Sequence, residues 1–151
     1  MNEKYEIPDF MIGMKNSEEY KKWLIRKAMS QFKRDKDFYE KHDKVFPYER
    51  IDYKEALHQA VIDSEGLDYY TGKKLDWHLI STWSNEDSVK EIGYKKKFKK
   101  LPVLEHINRE ELSKKLEFVI CGWAVNDAKN DLNIEEFLEL CREVLEYSGK
   151  N

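Results

Sequence analysis

The spacing of apolar residues predicts a chain that is helical in its first half. Apolar side chains recur at helical intervals through residues 18–40, directly after Ser17, which is a good N-cap. Asp52 followed by Glu55 resembles a capping box and predicts the start of a second helix. Residues 1–64 are therefore predicted to form an N-terminal helical region.

Residues 65–151 change character, because short apolar runs alternate there with polar turns. The peptides LPVLEHI, from Leu101, and LEFVICGW, from Leu116, are short and apolar, which predicts two strands. A capping-box pattern at Asn133 predicts the start of a final amphipathic helix, acidic on its outer side and structural in role. These elements indicate an α+β fold that is mainly helical. A length of 151 residues suits a single globule in which 1–64 and the later residues pack together.

The composition excludes several classes of protein. An apolar fraction of 40% argues against global disorder, and a net charge of −3 argues against a nonspecific polybasic binder. The two cysteines, Cys121 and Cys141, lie far apart in the sequence, so we expect reduced core thiols and no structural zinc. No stretch approaches the ~20 apolar residues of a membrane span, and the N-terminus lacks the apolar core of a signal peptide. We therefore expect a cytoplasmic protein with no membrane partner.

Basic residues are concentrated in two places despite the balanced total. Residues 15–36 contain eight basic and three acidic residues, and residues 90–100 contain six lysines and one acid. We expect the first helix and the peptide YKKKFKK to form a positive face that follows a phosphate backbone. A solvated surface is the alternative interpretation. The expected contacts to nucleic acid come from Lys95, Lys96, Lys97, Lys99 and Lys100.

Candidate chemistry lies where the first predicted strand ends and after the second. Glu105 and His106 close the first strand, and the spacing of Asn126, Lys129 and Asn130 places these three residues on one helical face. A carboxylate and an amide oxygen suit Mg²⁺ or Mn²⁺, a nearby imidazole can accept a proton from water, and a lysine can hold a phosphate. Ordinary surface polar residues are the competing interpretation.

This segment resembles the His-Asn-His (HNH) endonuclease motif. In that family an Asp-His pair ends the first strand of a hairpin, and a pattern such as N-x-x-K follows on a helix. Here Glu105-His106 is similar to the first element, and Asn126 to Lys129 is similar to the second. The resemblance implies a treble-clef-related ββα-metal core within 65–151 and one Mg²⁺ or Mn²⁺ ion. It implies that Glu105 and Asn126 ligate the metal, with Asn130 as an alternative, and that His106 is the general base. Lys129 would bind substrate phosphate.

The chain departs from the family pattern in three ways. Glu105 stands where aspartate is usual, and its extra methylene shifts the carboxylate by about one bond length. The position of a middle asparagine that braces the catalytic loop falls near Glu117. The cysteine pairs of zinc knuckles are missing, so the resemblance is to a zinc-less bacterial branch. Aromatic side chains are expected to replace the zinc: Tyr69, Tyr70, Trp77 and Trp123.

The sequence therefore predicts a metal-dependent endonuclease that hydrolyses DNA phosphodiester bonds. Two alternatives stay open. One is a degenerate HNH-like domain that binds nucleic acid without cutting it, and the other is a helical module that binds proteins through its acidic C-terminal helix. The sequence leaves open whether the substrate is DNA or RNA, which nucleotide sequence is preferred, and what the oligomeric state is.

Overall fold

The computed structural model describes residues 4–82, 93–107 and 115–149. Within these residues it contains five α-helices, one two-stranded antiparallel sheet and two short 3-10 helices, Asp9–Met11 and Trp77–Leu79. The fold is therefore mixed and mainly helical, as predicted. The helices and strands are α1 (Ser17–Lys41), α2 (Arg50–Ser64), α3 (Tyr94–Lys97), β1 (Pro102–His106), β2 (Phe118–Gly122), α4 (Trp123–Lys129) and α5 (Ile134–Ser148).

The first two helices begin at capping boxes that differ from those predicted. Asn16 caps α1: its side chain accepts a hydrogen bond from the Glu19 amide at 2.8 Å, and the Glu19 carboxylate accepts one from the Asn16 amide at 3.1 Å. Ser17 is the first helical residue and not the cap, because no Glu or Gln lies three residues after it. Glu49 caps α2 in the same way with Asp52, whose carboxylate accepts from the Glu49 amide at 2.8 Å, so the cap lies three residues earlier than predicted.

α1 packs against α2, α2 packs against β2, and the three elements contribute to one hydrophobic core. Every residue of β2 is buried. The core is rich in aromatic side chains, which supply large contact areas at edge-to-face geometry. The largest fully buried side chains are Trp23, Trp77, Tyr20, Tyr53, Phe98, Met11, Leu24, Leu57, Ile80, Ile120 and Val61.

The hairpin and the helix after it form a continuous β1–β2–α4 unit. β1 pairs with β2 in a register that sets Glu105 opposite Val119 and His106 opposite Phe118. The segment 65–77, in which the peptide TGKK predicts a tight turn, is attached to the hairpin, because the Tyr69 amide donates to the Ile120 carbonyl at 3.0 Å. α4 starts directly at the end of β2. The peptide NREELSKK joins the two strands, and its sequence predicts a turn or short helix; residues 108–114 of it lie outside the described residues.

The final helix begins at the predicted cap, Asn133, but none of its side chains is buried. Leu138, Val144 and Leu145 are among its exposed apolar residues, and Cys141 is only half-buried, so the expectation of a core thiol at Cys141 is wrong. The structural role expected of this helix stays a prediction. The periodicity of a helix gives its apolar stripe but does not say whether another element covers that stripe. No helix among the described residues is both long and apolar enough to cross a membrane.

Candidate functional site

The Glu105 carboxylate is the centre of a polar cluster on one face of the hairpin. Lys129 Nζ lies 2.6 Å from Glu105 Oε1, and the Tyr70 hydroxyl donates to Glu105 Oε2 at 2.5 Å. The Glu105 and Lys129 side chains are only 11% and 12% exposed, so this ion pair is largely shielded from water. Burial and the hydrogen bond to Glu105 raise the pKa of Tyr70, which keeps the phenol a neutral donor.

The Cys121 thiol links this carboxylate to Asn126. Side chains alternate along a strand, so Glu105 and Cys121 lie on the same face of the sheet, with Cys121 Sγ 3.8 Å from Glu105 Oε2. The Asn126 side chain hydrogen-bonds with the same thiol. Burial and the neighbouring Glu105 carboxylate raise the pKa of Cys121, so the thiol stays protonated. The structure thus brings together three of the predicted residues, Glu105, Asn126 and Lys129.

His106 follows Glu105 in the chain and lies on the opposite face of the sheet. Its Nε2 is 2.6 Å from Asp35 Oδ2 in α1, and its ring packs on Phe118 with 4.4 Å between centroids. Its Nδ1 is buried and has no hydrogen-bond partner among the residues that the structure describes. His106 therefore has one ring nitrogen held by a carboxylate and the other without a partner in the described part of the chain.

Asp35 is fully buried and is the functional candidate that the sequence analysis missed. Tyr53 donates its hydroxyl to Asp35 Oδ2 at 2.6 Å, and the Gln31 amide donates to Asp35 Oδ1 at 3.0 Å. Burial alone would raise the pKa of Asp35, but hydrogen bonds from His106 and Tyr53 outweigh it and hold this pKa below its usual value. A signal was present, since Asp35 follows Phe32 by three residues on the apolar stripe of α1.

A cavity of about 820 Å³ borders both clusters. Tyr70, His106 and Lys129 line it from the hairpin side, and apolar residues of α5 line it from the other side. His106 and Lys129 therefore reach a common space, whereas Glu105 leaves the strand in the opposite direction from His106 and does not line this cavity.

Asn130 lies outside the helical face that it was predicted to share. α4 ends at Lys129, and Asn130 follows with a φ of 52°, while its amide donates to the Asn126 carbonyl at 3.0 Å. Asparagine tolerates this left-handed backbone region better than most residues, which is why the helix can end there. Asn126 is consequently better placed than Asn130 to act with Glu105.

The lysine-rich segment lies beside α4. The Ala124 amide donates to the Lys99 carbonyl at 3.0 Å, and Lys95 Nζ is 3.5 Å from Asp127 Oδ2 and 5.6 Å from the centre of the Trp123 ring. Lys95, Lys96, Lys97 and Lys99 are exposed, and Lys100 is half-buried. Their positive charge therefore borders the β1–β2–α4 unit. A surface that includes α1 and binds phosphate stays a prediction.

The aromatic residues expected in place of a zinc knuckle have different roles. Trp77 is buried and Trp123 is half-buried, whereas Tyr69 is 60% exposed and does not pack into a core. Tyr70 is a hydrogen-bond donor to Glu105. In residues 4–82, 93–107 and 115–149 there is no group of three or more His, Cys, Asp or Glu residues that could hold a metal ion. A cation at Glu105 would therefore depend on one carboxylate, the Asn126 amide and water.

Comparison with known proteins finds no matching family model, no significantly similar curated protein and no significantly similar solved structure. The HNH resemblance stays a prediction from the sequence.

Proposed function

We propose that this protein is a metal-dependent endonuclease of HNH type that hydrolyses DNA phosphodiester bonds. One observation carries the proposal: in the β1–β2–α4 unit, Glu105 contacts both Lys129 and the Cys121 thiol, and the Asn126 side chain contacts the same thiol. His106, the residue after Glu105, keeps a ring nitrogen with no described partner. These are the residue types that the sequence motif assigns to a metal ligand pair, a phosphate contact and a general base.

The donor set fits one Mg²⁺ or Mn²⁺ ion. The Glu105 carboxylate and the Asn126 amide oxygen are hard ligands, and an ion of this kind keeps several waters when the protein supplies few ligands. When bound, such an ion would stabilise negative charge on the phosphoryl oxygens. Because Lys129 occupies Glu105 Oε1 at 2.6 Å, it must move away from that oxygen when a cation binds.

Each remaining role belongs to a side chain of the protein. Because His106 Nδ1 is buried, the groups that cover it must move aside when DNA binds. In the proposed hydrolysis, Nδ1 then takes one proton from a water molecule, whose oxygen forms the new bond to phosphorus as the P–O bond to the departing oxygen breaks. Lys129, released from Glu105, then pairs with a phosphate oxygen on the cavity side. The lysines at 95–100 border the unit and would neutralise neighbouring phosphates.

A degenerate domain that binds nucleic acid without cutting it is the second candidate. One observation favours it: both oxygens of Glu105 already have partners, Lys129 and Tyr70, so the cluster is satisfied without a cation. This candidate keeps the basic surface and predicts DNA binding with no metal-dependent cleavage.

Nicking of supercoiled plasmid separates the two candidates. We expect His106→Ala to lower Mg²⁺- or Mn²⁺-dependent cleavage by ~10²–10⁴, as loss of a general base does, and to leave Mn²⁺ binding by calorimetry nearly unchanged. His106→Gln tests the same point with less disturbance, since its amide nitrogen reaches nearly as far as Nε2 and can still donate to Asp35. The matched control is His42→Ala, an exposed histidine at the end of α1, which should cut like the wild type.

Changes at Glu105 complete the test. Glu105→Ala should lose both Mn²⁺ binding and cleavage, because it removes the only charged ligand in the proposed set. Glu105→Asp should cut as well as the wild type or better if the longer side chain is a compromise. DNA binding without nicking by a folded wild-type protein would support the degenerate domain. Equal nicking by the wild type and His106→Ala would refute the proposed mechanism.

A further inference from the structure

We infer that Asp35 is a positioning residue that holds His106 with Nε2 protonated, so that Nδ1 is left as the proton acceptor. The inference rests on the proposed function for the use of that nitrogen, but the tautomer itself can be measured without any cleavage. It also assigns a role in the site to the N-terminal helical region, which the sequence motif does not include.

The hydrogen bonds around Asp35 determine which atom carries the proton. Its carboxylate is approached by the Tyr53 hydroxyl at 2.6 Å, the Gln31 amide at 3.0 Å and His106 Nε2 at 2.6 Å. An ionised carboxylate only accepts hydrogen bonds, and several donors around it stabilise that form. Nε2 must therefore supply the hydrogen that lies between the histidine and Asp35.

The surroundings of the other ring nitrogen favour the same tautomer. Nδ1 of His106 is buried, and none of the described residues accepts a hydrogen bond from it. A protonated Nδ1 would be a buried donor without an acceptor, and such orphaned N–H groups are rare in folded proteins. A neutral imidazole protonated on Nε2 avoids this and leaves a lone pair on Nδ1.

Packing fixes the ring in this orientation. The His106 side chain is 8% exposed and Asp35 is 0% exposed, and the Phe118 ring lies against the imidazole at 4.4 Å between centroids. A half-turn of the ring would exchange Nε2 with a ring carbon, break the bond to Asp35 and leave the buried carboxylate without this donor. A carboxylate that orients a histidine and sets its tautomer raises the effectiveness of the free nitrogen as a base.

Nitrogen NMR of the full-length protein tests this directly, because protonated and unprotonated imidazole nitrogens have different ¹⁵N shifts. The His106 signals are identified by their loss in His106→Asn. In the wild type we expect a protonated Nε2 and an unprotonated Nδ1. Asp35→Leu, which removes the acceptor at similar size, should abolish this single tautomer, and Asp35→Asn, which keeps one weaker acceptor, should give a mixture.

The matched control is Tyr20→Phe. Tyr20, like Asp35, lies on α1 and contacts a histidine, since its hydroxyl is 2.6 Å from His58 Nδ1, and the substitution removes that contact. It should leave the His106 signals unchanged even if it lowers stability. In the cleavage assay we expect Asp35→Leu, or Asp35→Asn if the leucine variant does not fold, to lower kcat by ~10–100-fold with KM unchanged.

The outcomes separate this inference from the proposed function. A wild-type tautomer in a folded Asp35 variant, or a wild-type Nδ1 that is protonated, would overturn the role of Asp35 even if the protein cuts DNA. Loss of the tautomer with a fall in kcat supports both. If the wild type cuts no DNA, the proposed function fails, and the spectra alone decide whether Asp35 sets the state of His106.

Discussion

The ion pair between Lys129 and Glu105 should compete with a metal ion for the same carboxylate, and Lys129→Met tests this competition. Methionine keeps the unbranched apolar stem and removes only the charge. In the wild type, a cation that binds Glu105 Oε1 must first displace an ammonium that lies 2.6 Å away. In the variant that displacement is no longer needed.

The expected magnitudes follow from the burial of the pair. Both side chains are about nine-tenths buried, and removing one partner of a buried pair costs roughly 3–5 kcal/mol. Taking the lower end, about 3 kcal/mol, the melting temperature should fall by ~6–12 °C for a protein of this size. The same energy sets an upper limit of roughly 10²-fold on the gain in Mn²⁺ affinity, since 1.4 kcal/mol corresponds to a factor of ten.

Thermal unfolding with and without Mn²⁺, together with isothermal titration of Mn²⁺, measures both effects. We expect the variant to be destabilised without metal, to bind Mn²⁺ more tightly than the wild type, and to regain much of its melting temperature at saturating Mn²⁺. Lys95→Met is the control, because Lys95 is exposed and its contact to Asp127 is 3.5 Å long. It should change neither quantity by a measurable amount.

Two results would contradict this reasoning. If Lys129→Met is destabilised but Mn²⁺ neither binds more tightly nor restores stability, Glu105 is not a metal ligand and the pair is purely structural. If the melting temperature does not change at all, the pair contributes nothing to stability and the competition argument has no basis.

Three further predictions follow from other parts of the structure. Replacing the lysines at 95–97 with alanine should reduce the slope of log DNA affinity against log salt concentration, measured by fluorescence anisotropy between low and moderate salt. An unchanged slope would show that these lysines are only a solvated surface. Gly122→Ala should lower the free energy of unfolding by roughly 1–3 kcal/mol in urea, because a Cβ would lie 3.0 Å from Asp68 Oδ2 and 3.1 Å from the Lys99 carbonyl. Folding lowers the pKa of Asp35. The ionised Asp35 carboxylate therefore contributes its full stabilisation at pH above the unfolded-state pKa of about 3.9, and this stabilisation is lost as the pH falls through the lower folded-state pKa. Asp35→Asn should therefore flatten the acid limb of a plot of unfolding free energy against pH, and a limb of unchanged steepness would argue against that shift.

The part of the site that the sequence could predict is built from residues close together in the chain. Glu105 and Asn126 belong to consecutive elements of one β1–β2–α4 unit, and hairpin pairing and helical spacing are local rules. The two strands and the cap at Asn133 follow from the same rules. The order of the elements and the grouping of Glu105, Asn126 and Lys129 were therefore readable from the sequence, whereas the Tyr70 and Cys121 contacts to Glu105 were not.

Long-range packing decided the rest. Asp35 and His106 are 71 residues apart in the chain, and the packing of α1 on α2, and of α2 on the hairpin strand β2, brings them within 2.6 Å. The hydropathy pattern does not distinguish Asp35 from the other charged residues of α1. Helical periodicity indicates the direction of a side chain but not the partner that it contacts. The same reason explains α5, whose apolar stripe is evident from the sequence, while the tertiary structure leaves Leu145 71% exposed. Local interactions along the backbone select the helices and strands, whereas the pairing of buried polar groups depends on which surfaces meet when the chain folds.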